Sequence, residues 1–260
     1  MAKEKHEKTR LGGMALSNGV LVHGPTSWAC AVRTDDGALK VVARRKRLLG
    51  SKLKSPLLRG PARLAEAFAF LPDVKRALPE AQLPFTRGRV LTSMLGSAVV
   101  LNAVRRTRLS DTAKELVSAM MAFAPAVLSL REGSVAAYHG AEHITIGSYE
   151  HGEQRSREHE RCGTHLVGPL VATATVGNVL AGRAPLRFRN AARGAATVGA
   201  LAASTEIFAW MQRNPEHPFA RLLSRPGHAF QHHVATAEPT RAQLEVAEAA
   251  LKACLELEES

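Results

Sequence analysis

The chain has 260 residues, of which 45% are apolar and only 5% aromatic, and it carries a formal charge of +12. That apolar fraction excludes a disordered chain and suffices for one large core or two small ones. Much of it is alanine, which favours helix over pleated sheet, and the charge favours anionic partners such as lipid headgroups, nucleic acid or an acidic substrate.

Residues 1–10 read as a charged tail, without the apolar stretch of a signal peptide. Residues 11–47 read as a small β unit. Strand-like runs at 20–22, 28–34 and 38–43 are separated by Gly24 and Pro25, then by Asp35, Asp36 and Gly37. An Asp-Gly between two such runs is a hairpin signal.

Residues 48–88 form a basic, proline-punctuated connector with one expected helix at 62–71. No acidic residue occurs between Asp36 and Glu66, whereas Lys40, Arg44, Arg45, Lys46, Arg47, Lys52, Lys54, Arg59 and Arg63 do. This 40–63 region reads as a solvated basic linker, or as a surface for an anionic membrane or an acidic partner. It lacks the interleaved aromatics and the motif spacing of a specific nucleic-acid binder.

Residues 89–225 form an expected helical core. Four alanine-rich stretches, 90–104, 116–130, 164–181 and 195–211, are nearly free of charge. They fall at or just below the roughly 20 residues of a membrane span. Their small residues suit close helix packing in lipid or in a bundle. Residues 226–260 hold a C-terminal segment and an amphipathic helix. Thr240 and Gln243 make a capping box, and Leu244, Ala247, Leu251, Cys254 and Leu255 form one apolar stripe. The three cysteines, Cys30, Cys162 and Cys254, are odd in number and widely spaced, which argues against a disulfide framework.

The chemistry concentrates between His139 and Cys162. Five of the eleven histidines lie in residues 139–165, in company with Glu142, Glu150 and Cys162. The run Tyr138-His139-Gly140-Ala141-Glu142-His143 is an H-x-x-E-H pattern. On a helix its two histidines stack one turn apart and can reach one divalent ion, most naturally zinc. Glu142 lies beside them, placed to take a proton from metal-activated water, as in the inverted zinc-peptidase motif. His159 and Cys162 supply a second pair of donors three residues apart, before Gly163. Cys162 also admits a nucleophilic role, or burial as a small hydrophobe.

Glu150 shares the helical face of His139 but needs a bend near Gly147 to join the same ion. Glu206 is the first acid after a long uncharged run and is a candidate distant ligand. Tyr138 and Tyr149 bracket the motif as helix anchors.

Taken together, the central motif, Tyr149-Glu150, and His159-x-Arg161-Cys162-Gly163-Thr164 resemble the signature of the bacterial YqhQ-like family, domain of unknown function 1385. Gly12-Gly13, Gly19-Val20, Ala29 to Gly37, Arg59-Gly60, Pro226-Gly227, Gln231 and Glu238-Pro239 extend the resemblance over most of the chain. Departures are Ile144 for a Lys, Glu160 for a Pro, and Thr205-Glu206 for a Tyr-Glu pair.

The resemblance implies a metal-dependent enzyme in a multi-pass membrane protein, and it adds Arg161 to the site candidates. The resulting expectation is a mainly α, Ala-rich bundle with an N-terminal β-hairpin unit, at the cytoplasmic membrane or in the cytosol. Its function is expected to be metal-dependent hydrolysis with Glu142 as general base, or a membrane scaffold or regulator with a structural metal.

Overall fold

A computed structural model describes residues 8–46, 55–83, 88–130 and 134–260. The first seven residues of the expected tail lie outside them, as do Arg47, Lys52 and Lys54 of the basic region. Four strands, β1 (Gly12–Ala15), β2 (Gly19–His23), β3 (Ser27–Arg33) and β4 (Leu39–Arg45), form an antiparallel sheet in the order β1-β2-β3-β4. The expected Asp-Gly turn joins β3 to β4, with Gly37 at φ 83°, the left-handed conformation that suits glycine. The strand β1 is an addition to the sequence reading.

Both faces of the sheet are covered, which is why β2 and β3 read as continuous apolar runs rather than alternating ones. Val20, Val22, Ala29 and Ala31 point to one side. There they pack with Val135, Tyr138, Ala141 and Ile146 of α6 (Val135–His151) and with Val246, Ala247, Ala250 and Cys254 of α10 (Arg241–Glu259). Leu21, Trp28, Cys30 and Val32 point to the other side, against Phe70, Val74, Leu78 and Ala81. Edge strand β4 is half open to solvent and carries Lys40, Arg44 and Arg45, charges that discourage pairing with another edge.

The connector is more helical than its composition suggests. It contains α1 (Pro56–Ala69) and α2 (Leu71–Ala77), the first starting six residues earlier than expected because Pro56 suits a first helical turn. Beyond it, α3 (Gly88–Arg105), α4 (Asp111–Met121), α5 (Ala124–Leu130), α7 (Val167–Gly182), α8 (Arg189–Arg213) and α9 (Pro218–Phe230) build the helical layer. Small residues let these helices approach closely. A Cβ on Gly177 of α7 would lie 3.3 Å from Ala196 of α8, and one on Gly60 of α1 would lie 1.9 Å from Thr205 of α8.

Among the described residues, two helical stretches are long and apolar enough to cross a membrane, Asp111–Leu130 and Gly163–Gly182. Only 11% and 17% of their most apolar windows are buried within the protein. Leu95, Val99, Met120, Val176 and Leu180 are each at least 57% exposed.

Candidate metal centre

Helix α6 lies between the sheet and the helical layer and carries the H-x-x-E-H run. Spacing alone puts His139 and His143 on one face, and their ring centroids are 4.3 Å apart. Each ring is aimed by its Nδ1. That of His139 is 2.8 Å from the Ala235 carbonyl, and that of His143 is 2.7 Å from the Arg157 carbonyl. A carbonyl only accepts, so both Nδ1 atoms carry the proton and both Nε2 atoms present a lone pair that a metal could use.

The local sequence explains this approach. A Cβ on Gly140 would come 2.2 Å from the Ala237 carbonyl oxygen, so only glycine lets residues 235–237 cross α6 at that point. Ala237 N–H then bonds to the Ala136 carbonyl at 2.9 Å, and a π-helical turn, Gln231–Ala235, presents the Ala235 carbonyl to His139.

Cys162 precedes a short 3-10 turn, Gly163–Leu166, and its Sγ lies 3.6 Å from His139 Nε2. Ligand atoms of His139, His143 and Cys162 all lie within 4.8 Å of one another. That spacing fits one tetrahedral ion, whose ligands at about 2.0 to 2.3 Å from the metal stand roughly 3.3 to 3.8 Å apart, after a small contraction. Glu142 Oε2 sits 3.6 Å from His143 Nε2 and 3.9 Å from His139 Nε2.

Burial sets the protonation of the group. It pushes the Glu142 carboxyl up to about 7, opposed by His139 and assisted by the nearby Glu150. It drives His143 down to about 2, with His139 adding to the effect, so the His143 imidazole stays neutral. It raises the Cys162 thiol to about 11. A bound cation reverses that last effect, since a coordinating thiol is deprotonated.

The structure divides the remaining candidates. Glu150 stays on a helix that continues unbroken to His151, without the bend that joining the same ion would require. Its carboxylate instead accepts from His159 Nε2 at 3.0 Å and lies 3.2 Å from Arg161. His159 therefore lines the cavity, its ring 5.5 Å from that of His143, with its Nε2 already engaged. Glu206 is on α8 and is not among the residues lining the cavity, so the three-donor cluster forms without it. Tyr138 is buried in the core against the sheet, as an anchor would be.

Two residues shape the site without having been read as part of it. Gln231 is fully buried. Its Oε1 accepts from the His159 N–H at 2.9 Å, and its Nε2 donates to the His159 carbonyl at 3.1 Å and to Thr164 Oγ1 at 2.8 Å. It thus holds both sides of the segment that bears Cys162. Gly13 of β1 covers Glu142 so closely that a Cβ there would lie 2.2 Å from Oε1. The cavity measures about 390 Å³, and its wall is largely apolar, with Leu11, Met14, Ala126, Leu130, Val135 and Ile146 around the polar cluster.

The family model described as Protein of unknown function (DUF1385) matches residues 84–257. The chain belongs to this family. The DUF1385 match contains α6, the Cys162 segment, Gln231 and all but the last turn of α10, and begins after the sheet that supplies Gly13. No similar curated protein and no similar solved structure was found.

Proposed function

We propose that this DUF1385 protein is a metal-dependent hydrolase of the cytoplasmic membrane, with zinc or a similar divalent ion held by His139, His143 and Cys162. The observation that carries this reading is the set of three converging donors, two of them imidazoles locked in the ligating tautomer, with a buried carboxylate within 4 Å of both rings. One thiolate and two imidazoles suit zinc, and three protein ligands leave a coordination position open, as catalytic sites do. His159, the natural fourth ligand of a closed structural site, is instead turned to Glu150.

When bound, the metal supplies Lewis acidity and lowers the pKa of water at its open position. The chain's own part is proton handling and exclusion of water. Glu142 is held near neutrality, where a general base works best, and its carboxylate accepts the proton that the attacking water gives up. The β1 backbone at Gly13 closes over it. The apolar wall favours a substrate with an apolar portion beside the scissile group, and a peptide bond is one candidate. Two apolar, poorly buried helices support the membrane placement.

Metal analysis with variants tests the assignment. Purified protein is expected to hold about one zinc per chain. His139→Ala and Cys162→Ser should lose it, whereas Glu142→Gln should keep it and lose turnover on a panel of peptide and ester substrates. Unchanged metal content in His139→Ala overturns the ligand set. A fourth protein ligand in the zinc absorption spectrum, with no effect of Glu142→Gln, points instead to a structural metal in a scaffold.

A further inference from the structure

At the end of the helical layer away from the metal cluster, four helix termini converge. There α3 ends at Arg105, α4 starts at Asp111, α7 ends at Gly182 and α8 starts at Arg189. The 16 residues of α7 alone put about 24 Å between this end and the Cys162 turn. The termini enclose a second cavity of about 570 Å³.

Arg105, Lys114, Arg183, Arg189 and Arg193 line this cavity, against two acids, Asp111 and Glu115. Glu115 is largely buried and lies 3.4 Å from Arg193, so it offsets only one of the cations. The Nε atoms of Arg189 and Arg193 are both buried and have no hydrogen-bonding partner among the described residues. Leaving a buried guanidinium N–H unpaired is costly, and an oxyanion with several acceptor oxygens is the partner that relieves it. Helix α8 begins here with no acidic residue in its first turn and no side-chain cap, so the positive end of its dipole adds to the same field. Leu180, Leu186 and Phe188, close in sequence to these walls, are 57%, 81% and 54% exposed and offer an apolar border.

We propose that this cavity binds a phosphate-bearing anion, supplied as the headgroup of an anionic phospholipid or as free phosphate. Converging arginines recognise the phosphate oxygens, and the apolar border suits the acyl chains of the lipid form. The site is independent of the metal reading, because it shares no residue with the His/Cys cavity.

The test follows thermal melting of the protein in detergent with phosphatidylglycerol, phosphatidylcholine, sodium phosphate, or sodium chloride at the ionic strength of the phosphate sample. Phosphatidylglycerol is expected to raise the midpoint in a saturable way that phosphatidylcholine and chloride do not reproduce. The double variant Arg189→Gln/Arg193→Gln should weaken that response about tenfold or more. A response to sodium phosphate as strong as that to the lipid assigns the free anion as ligand, and a response to the lipid alone assigns the headgroup. Arg221→Gln, on α9, should change neither. If the double variant does not fold, Lys114→Gln is judged by the same criterion with a smaller expected loss. No response beyond chloride, or a full response in the variant, overturns the proposal.

Discussion

Replacing Gln231 by leucine tests how the His/Cys cluster, the proposed metal site, is held. The amide accepts one hydrogen bond from the His159 N–H, and its Nε2 lies 2.8 to 3.1 Å from three partners, the His159 carbonyl, Thr164 Oγ1 and His165 Nδ1, in a fully buried position. Leucine fills a similar volume but leaves the backbone N–H and carbonyl of His159 without that partner. Each such buried group costs about 1 to 3 kcal/mol, so the variant should lose about 3 kcal/mol in all. For a chain of this size that lowers the melting midpoint by roughly 6 to 12 °C. The segment it holds runs directly to Cys162, and loss of a supporting partner of this kind weakens metal binding about 10- to 100-fold. Competition with a chromogenic zinc chelator measures the affinity, and calorimetry measures the midpoint. Gln231→Glu, which keeps an acceptor for His159 N–H, should fall between wild type and leucine. If the leucine variant retains both wild-type affinity and midpoint, the amide does not organise the site.

Three other outcomes follow from the same geometry. Gly13→Ala brings a methyl group to 2.2 Å from Glu142 Oε1 and should destabilise the fold by about 1 to 3 kcal/mol, measured by denaturant melting, while metal content is kept. His23 is held down to about 4, chiefly by burial and next by Lys46, so the folded state prefers it neutral. Its contribution is complete above about pH 6.5 and is lost as pH falls towards 4; wild type should therefore lose up to about 3 kcal/mol more than His23→Gln across that window in urea titrations. Burial alone would raise the carboxyl of Glu258, but hydrogen bonds from Ser27 and Thr26 outweigh it and hold it below its usual 4.5. Glu258→Ala should cost about 2 kcal/mol at pH 7, a difference from wild type that narrows once the pH drops below that value, as thermal melts at several pH values will show.

How much could be read in advance depended on the range of the contact. The stacking of His139 and His143 follows from a three-four helical spacing and was legible at once. So were the Gly37 turn and the Thr240–Gln243 capping box, because each is closed within four residues. Cys162 was legible as a donor by type, though its position beside His139 depends on Gln231, which is 69 residues further along and carries no local signal. Gly13 was hidden because a four-residue strand with two glycines shows no alternation. Glu150 misled through its spacing: it shares the right helical face, yet the residues that claim it, His159 and Arg161, arrive from a loop that periodicity does not describe. The small residues of α7 and α8 suited lipid and bundle packing equally, and the helices use them against each other while leaving larger apolar side chains outward.

The bond between Ser27 and Glu258 joins positions 231 residues apart, and α10 covers the sheet that brings Gly13 over Glu142. A ribosome therefore releases β2 and β3 long before the helix that shields one of their faces. The roof above the carboxylate gains its full backing only once that distant segment has emerged and docked on the sheet.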